Sequence, residues 1–214
     1  MLPTHPLTAI LEEAVRGRFP PADGAVDVLP PDRTGTGAVM AMTGHAYVLA
    51  DVAADALERR LPSGWGGGFG GALHPDVLQW LAGPDREIGT IDVVLAAPGI
   101  GGSEAPATPV DEVLAEHARV QRALRHRRDV KVVVEPSGVA IVGRGLVGRR
   151  ELSVELFDPL ATSSGAGRTL IAAGLRTVPP DEWCWAQVAP GNARSLRAFL
   201  ACGFSPIGAE VLFT

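Results

Sequence analysis

From residue 130 to the C-terminus, short apolar runs alternate with segments of helical periodicity, and this alternation restricts the folds open to the chain. Residues 130–134, 139–142 and 151–157 read as strands, the first two joined by the turn residues Pro136-Ser137-Gly138. Residues 168–176 and 192–202 carry apolar residues at helical spacing, and strands at 182–188 and 209–213 follow them in turn. The order β-β-β-α-β-α-β predicts an α/β (α+β layered) fold, a sheet flanked by helices, and not a bundle or a sandwich.

The first half is looser. A helix is predicted over 6–18 from Leu7, Ile10, Leu11 and Val15, followed by a stretch rich in Pro, Gly and Asp. AVMAMTGHAYVLADV reads as a β-hairpin turning at Thr43-Gly44, GWGGGFGG (64–71) as a flexible loop, and 75–81 as a short helix opened by Pro75. A strand over 91–97 ends at Pro98-Gly99, and an amphipathic helix over 110–127 carries Val113, Leu114, Val120 and Leu124. The reading is two parts, an N-terminal lobe at 1–128 and a core at 129–214. IDVVLAAPGIGGS at 91–103 faintly echoes WCWAQVAPGNARS at 183–195, by chance or because the first lobe is a degraded copy of the second.

Composition removes whole classes of function. No run approaches eighteen apolar residues, and Glu12-Glu13 falls where a signal peptide needs its apolar centre, so a cytoplasmic protein with no membrane partner is expected. A net charge of −5 argues against nucleic acid as a partner. Two cysteines, Cys184 and Cys202, and five histidines without ligand spacing give no basis for a metal site. The charge is uneven: Arg119, Arg122, Arg125, Arg127, Arg128, Lys131, Arg144, Arg149 and Arg150 stand against Asp129 and Glu135 alone. This segment is either a solvated helix face with a strand edge or an attractor for a phosphorylated ligand.

Two glycine motifs invite a nucleotide reading. Gly143-Arg-Gly145-Leu-Val-Gly148 matches GxGxxG, but no helix of ten residues follows it, so it reads as a tight connection between antiparallel strands. Thr162-Ser163-Ser164-Gly165-Ala166-Gly167-Arg168 lies between a strand and a helix. There, successive backbone N–H groups at the positive end of a helix form a cradle for a diphosphate. A plain strand-to-helix turn would favour the same residues.

The last 85 or so residues resemble the Gcn5-related N-acetyltransferase (GNAT) superfamily. The segment Phe157-Asp-Pro159-Leu-Ala-Thr162-Ser-Ser-Gly165-Ala-Gly167 is similar to the acyl-CoA loop V-x-P-x-x-Q/R-x-x-G-x-G/A, with Thr162 in place of Gln or Arg. Asn192-Ala-Arg-Ser195-Leu-Arg-Ala198-Phe199-Leu-Ala-Cys202-Gly203-Phe204 resembles N-x-x-A-x-x-L-Y-x-K-x-G-F, with Phe199 where many members carry Tyr. The resemblance implies that splayed strands 151–157 and 182–188 admit the pantetheine arm of acetyl-CoA. The backbone at Leu156 and Phe157 would polarise the thioester, and residues Thr162 to Arg168 would hold the pyrophosphate with help from Asn192 and Ser195. An amine acceptor must lose a proton, which a carboxylate could take. Glu151 and Glu155 share a face of their strand with Ser153 and Phe157. Glu151 falls where histone acetyltransferases keep their glutamate base, and Glu155 lies nearer the expected thioester. An acyl-CoA-dependent N-acyltransferase is expected, with a non-catalytic acyl-CoA-binding module, or a scaffold or homodimer, as the alternatives.

Overall fold

A computed structural model describes residues 4–64, 66–102, 114, 116–158 and 165–214. Its contacts separate two compact units, Met1–Val94 with Ile207–Thr214, and Leu95–Pro206. The division falls earlier than residue 128, and the closing strand groups mainly with the first unit.

The first unit contains helix α1 (Pro6–Ala14), strands β1 (Val26–Leu29), β2 (Gly37–Met42) and β3 (His45–Leu49), and helices α2 (Ala54–Glu58) and α3 (Pro75–Ala82). Strand β4 (Asp92–Pro98) leaves it, and β9 (Ser205–Phe213) returns to it. Its strand order is β1-β3-β2-β9. The β2–β3 hairpin turns where expected, with Met42 paired to His45 and both Thr43 and Gly44 at positive φ. Val39, Val48, Leu57, Val77, Leu81 and Phe213 form its core. Strand β1 has no sequence signal of its own, being four residues long and fenced by Pro20-Pro21 and Pro30-Pro31; it is made by parallel pairing with β3.

The stretch at 64–71 differs from the expected flexible loop. Gly67–Phe69 and Gly71–Leu73 form 3-10 turns, and Gly67 and Gly68 are buried. The Gly68 N–H donates to the Gly24 carbonyl at 2.9 Å, and the Phe69 ring occupies the space a Cβ would need at Gly44 and Gly66. A glycine run carries no side chain to signal burial, so the pattern reads as loop while the backbone itself packs.

The second unit continues with α4 (Ala118–His126), β5 (Arg128–Glu135), β6 (Gly138–Arg144), β7 (Arg150–Leu156), α5 (Ala166–Arg176), β8 (Trp183–Val188) and α6 (Ala193–Ala201). The order from β5 is the one the sequence predicts. Strands run β4-β8-β7-β6-β5, with β5–β6–β7 an antiparallel meander and β7–β8 parallel, so the sheet is mixed and flanked by helices. Register assigns its faces. Val139, Ile141 and Gly143 lie opposite Glu155, Ser153 and Glu151 on the face beneath α4, while Leu152 and Gly138 face α5. Helix α5 buries Leu170, Ile171 and Leu175, each contributing about 1.5–3 kcal/mol. Its Gly174 sits where a Cβ would run into Leu152, which lets the helix approach the sheet closely.

Candidate functional site

Strands β7 and β8 pair at only two positions, Arg150↔Cys184 and Glu151↔Trp185. Beyond Glu151 the two strands continue, to Leu156 and Val188, without pairing, and so form a fork. The other edge of β7 stays paired to β6 throughout, and the Phe157 N–H donates to the Ser137 carbonyl at 3.0 Å. Because successive N–H groups of a strand point to opposite edges, the Leu156 N–H faces the fork while that of Phe157 is already used. Of the two backbone groups expected at a thioester, Leu156 is the one in position to donate.

The closed end of the fork is fixed by two charge clusters. Glu182, just before β8, takes a bidentate pair from Arg150 (2.6 and 3.1 Å) and a further bond from Arg144 at 3.2 Å. The Arg150 bond, with Arg144 behind it, holds the Glu182 carboxyl below the ordinary carboxylate range. Glu151, 5% exposed, receives Arg149 on one oxygen at 2.9 Å and Arg127 on the other at 3.0 Å, and the Leu146 N–H donates to it at 3.3 Å. Burial pushes its carboxyl upward, but the two guanidinium groups outweigh burial and hold it below its usual value. Glu151 is therefore a buried, fully engaged carboxylate, and this geometry suits a fixed strut better than a proton acceptor.

The GxGxxG stretch is explained by the same cluster. At Gly143 a Cβ would press on the Arg127 side chain, and at Gly145 it would collide with the Glu151 carboxylate. Gly148 turns the chain at φ 81°. These glycines make room for an ion cluster, in agreement with their reading as a tight connection between strands.

Helix α4 runs along the same face of β7. Arg127 also donates to Ser153 at 3.1 Å, Arg119 pairs with the half-exposed Glu155, and His117 meets the Phe157 ring edge-on with centroids 6.5 Å apart. Five of the basic residues that looked unpaired in sequence (Arg119, Arg127, Arg144, Arg149 and Arg150) are thus engaged by carboxylates. Arg122, Arg125, Arg128 and Lys131 remain exposed on α4 and β5.

Of the expected diphosphate cradle, Thr162, Ser163 and Ser164 lie outside the described residues. Gly165 has φ 80° and forms the N-cap of α5, Ala166 and Gly167 open the helix, and Arg168 is exposed in its first turn. Among the described residues no atom lies within 4 Å of a Cβ built on Gly167. Asn192 is the N-cap of α6, its side-chain oxygen accepting from the Ser195 N–H at 3.0 Å. Phe199 is 4% exposed and packs edge-on against Phe204 with centroids 4.9 Å apart. Helical spacing puts Asn192 and Phe199 on one face, but Asn192 lies outside the helix at φ −91°, ψ 66°, so the spacing does not apply. Asn192 is exposed and Phe199 is a core residue.

A solved GCN5-related N-acetyltransferase from Kribbella flavida matches 60% of this chain at 16% identity and a TM-score of 0.38. The chain spans 59% of that protein's length. No protein-family model matches the chain, and no curated protein matches it by sequence.

In the first unit, His45 is buried with its two ring nitrogens 2.9 Å from Asp23 and 3.2 Å from Asp27, and its ring lies 4.8 Å from that of Tyr47. Burial raises the Tyr47 hydroxyl above its ordinary pKa. Tyr47 lines a shallow cavity of about 390 Å³ with Ile10, Phe19 and the Glu13–Arg18 pair. Among the described residues no helix is long and apolar enough to cross a membrane, and no group of three or more His, Cys, Asp or Glu is placed to hold a metal.

Proposed function

We propose that the protein is an acyl-CoA-dependent N-acyltransferase that moves an acetyl group from acetyl-CoA to an amine by direct attack. The observation that carries this reading is the fork, two parallel strands paired at Arg150↔Cys184 and Glu151↔Trp185 and unpaired beyond. Such a fork leaves donors such as the Leu156 N–H free for the amide groups of a pantetheine arm and for the thioester oxygen. A fixed N–H aimed at that oxygen stabilises the negative charge that develops as an amine attacks. The pyrophosphate is assigned to residues Thr162 to Arg168 at the start of α5, where the helix dipole and backbone N–H groups favour an anion. Asn192 and Ser195 are assigned a supporting role from the start of α6, and Phe157 lines the mouth of the fork. Glu155 is the carboxylate assigned to meet the acceptor amine, and Glu151 is assigned to hold the fork. The protein is read as cytoplasmic, needing neither metal nor nucleic acid.

Acetyl-CoA should raise the melting temperature of the wild-type protein, and Gly167→Asp should abolish the shift. Among the described residues nothing lies within 4 Å of the new Cβ, and the substitution sets a carboxylate against the pyrophosphate. An undiminished shift in Gly167→Asp would remove the cradle from this segment.

A phenylalanine at position 199 favours a second reading, a binder that has lost turnover, because the one tyrosine of the chain, Tyr47, lies in β3. Phe199→Tyr should be destabilised by about 1–3 kcal/mol, since a hydroxyl placed against Phe204 is buried without a ready partner. Chemical denaturation reads this directly. An unperturbed mutant whose acetyl-CoA turnover exceeds that of the wild type would support the binder reading and place residue 199 at the thiol.

A further inference from the structure

The rungs that join α4 to β7 differ in what they leave free. Arg127 is taken by Glu151 and Ser153, and Arg119 by Glu155. The last rung, His117 against Phe157, has no polar partner: the His117 Nδ1 is buried and makes no hydrogen bond among the described residues. Three of the other four histidines give the contrast. His5 and His74 occupy the same N-cap position on α1 and α3, and there Nδ1 accepts from the backbone N–H of Leu7 and Asp76. His117 is the N-cap of α4, yet its side chain makes no cap bond and its ring is turned toward Phe157. The ring nitrogens of His45 both face carboxylates. Among the described residues this buried ring nitrogen has no hydrogen-bond partner, and a buried polar atom without one calls for an explanation, of which a catalytic role is one.

We infer that His117 is the general base for the acceptor amine, working beside the Arg119–Glu155 pair at the open end of the fork. The inference rests on the acyl-CoA reading above. Glu155 draws the incoming ammonium to the site, and the neighbouring imidazole takes its proton, a transfer that histidine supports near neutral pH. The nitrogen lone pair then attacks the thioester carbonyl carbon; the new C–N bond forms as the C–S bond breaks, and the electron pair leaves on sulfur. The proton held by His117, or one from water, neutralises the thiolate, and the amide nitrogen releases its surplus proton to the vacated imidazole or to water. Glu151 cannot do this work, because both its oxygens are held by guanidinium groups inside the sheet. Among the described residues, the charged groups within two positions of His117 and of the Phe157 it packs against are Glu116, Arg119, Glu155 and Asp158.

The test labels the full chain with diethyl pyrocarbonate, with and without acetyl-CoA, and maps the five histidines by mass spectrometry. Acetyl-CoA should shield His117 selectively, because it fills the fork beside Phe157. Thiol release from acetyl-CoA with spermidine, glycinamide and a lysine tripeptide as acceptors is then compared among wild type, His117→Ala and Glu155→Gln. His117→Ala should keep the acetyl-CoA thermal shift, lose about 10²–10⁴-fold in amine-dependent kcat, and lose the acid limb of the pH profile. Glu155→Gln should raise the acceptor KM and keep that limb. Unchanged labelling of His117 while acetyl-CoA still shifts the melting temperature overturns the assignment even if none of the three amines is accepted, as does an intact acid limb in His117→Ala. A wild-type protein that acetyl-CoA does not stabilise overturns the acyl-CoA reading itself, and this assignment with it.

Discussion

Glu151→Gln should lose about 3–5 kcal/mol of stability, more than any catalytic role for this residue would require. The substitution removes the carboxylate shared by the guanidinium groups of Arg127 and Arg149, whose side chains are 13% and 4% exposed. Desolvated charges tolerate burial only when compensated, so the loss reflects two buried cations deprived of a shared anion rather than one missing bond. Replacing Glu151, Arg127 and Arg149 together by apolar residues of similar volume should recover most of the loss. The pH dependence has a definite sign. The folded carboxyl titrates below its unfolded value, so its contribution is present above the unfolded pKa and fades as pH falls through the folded one. Wild type should therefore weaken in acid along a limb that Glu151→Gln lacks. Urea denaturation at neutral and acid pH measures both. A loss below about 1 kcal/mol, the range of exposed pairs, would mean that the cluster is solvated and that Glu151 is available as a base after all.

Gly68→Ala should destabilise by about 2–4 kcal/mol. In a mobile loop the same change restricts the unfolded chain and stabilises by about 0.4–1 kcal/mol, so the sign alone decides. A Cβ on Gly68 would meet the Gly44 carbonyl and the His45 Cα, which is backbone on a hairpin and cannot swing aside like a side-chain tip. Moving it would disturb the Met42↔His45 pair and the Gly68 N–H bond to Gly24. Overpacking of this kind costs about 1–3 kcal/mol where neighbours can relax and more where they cannot. A thermal melt of Gly68→Ala at or above the wild-type midpoint would restore the loop reading of 64–71.

The sequence by itself settled the order of elements after residue 130, because alternation and helical spacing are local properties. A strand such as ELSVEL shows its two faces, and a helix such as Ala166–Arg176 shows its apolar stripe, whatever they later pack against. It also settled where the β2–β3 hairpin turns, since Thr43-Gly44 separates two apolar runs. Tertiary structure decided the rest. Strand β1 exists by pairing to β3, and the glycines at 67–68 are core because backbone, not side chain, fills the space. Glu151 and Glu155 look equivalent along the strand, two residues of one face. Only the approach of α4, with Arg149 beside it, makes one a buried strut and leaves the other half-exposed. His117 carried no signal at all, being one histidine among five without ligand spacing. It became informative when α4, laid antiparallel to the order of its rungs on β7, matched Arg127 with Glu151, Arg119 with Glu155, and the imidazole with Phe157. Pairings between residues some thirty-six positions apart depend on how the chain returns to itself, as between Arg119 and Glu155, and that is fixed by burial and charge in three dimensions rather than by any local pattern.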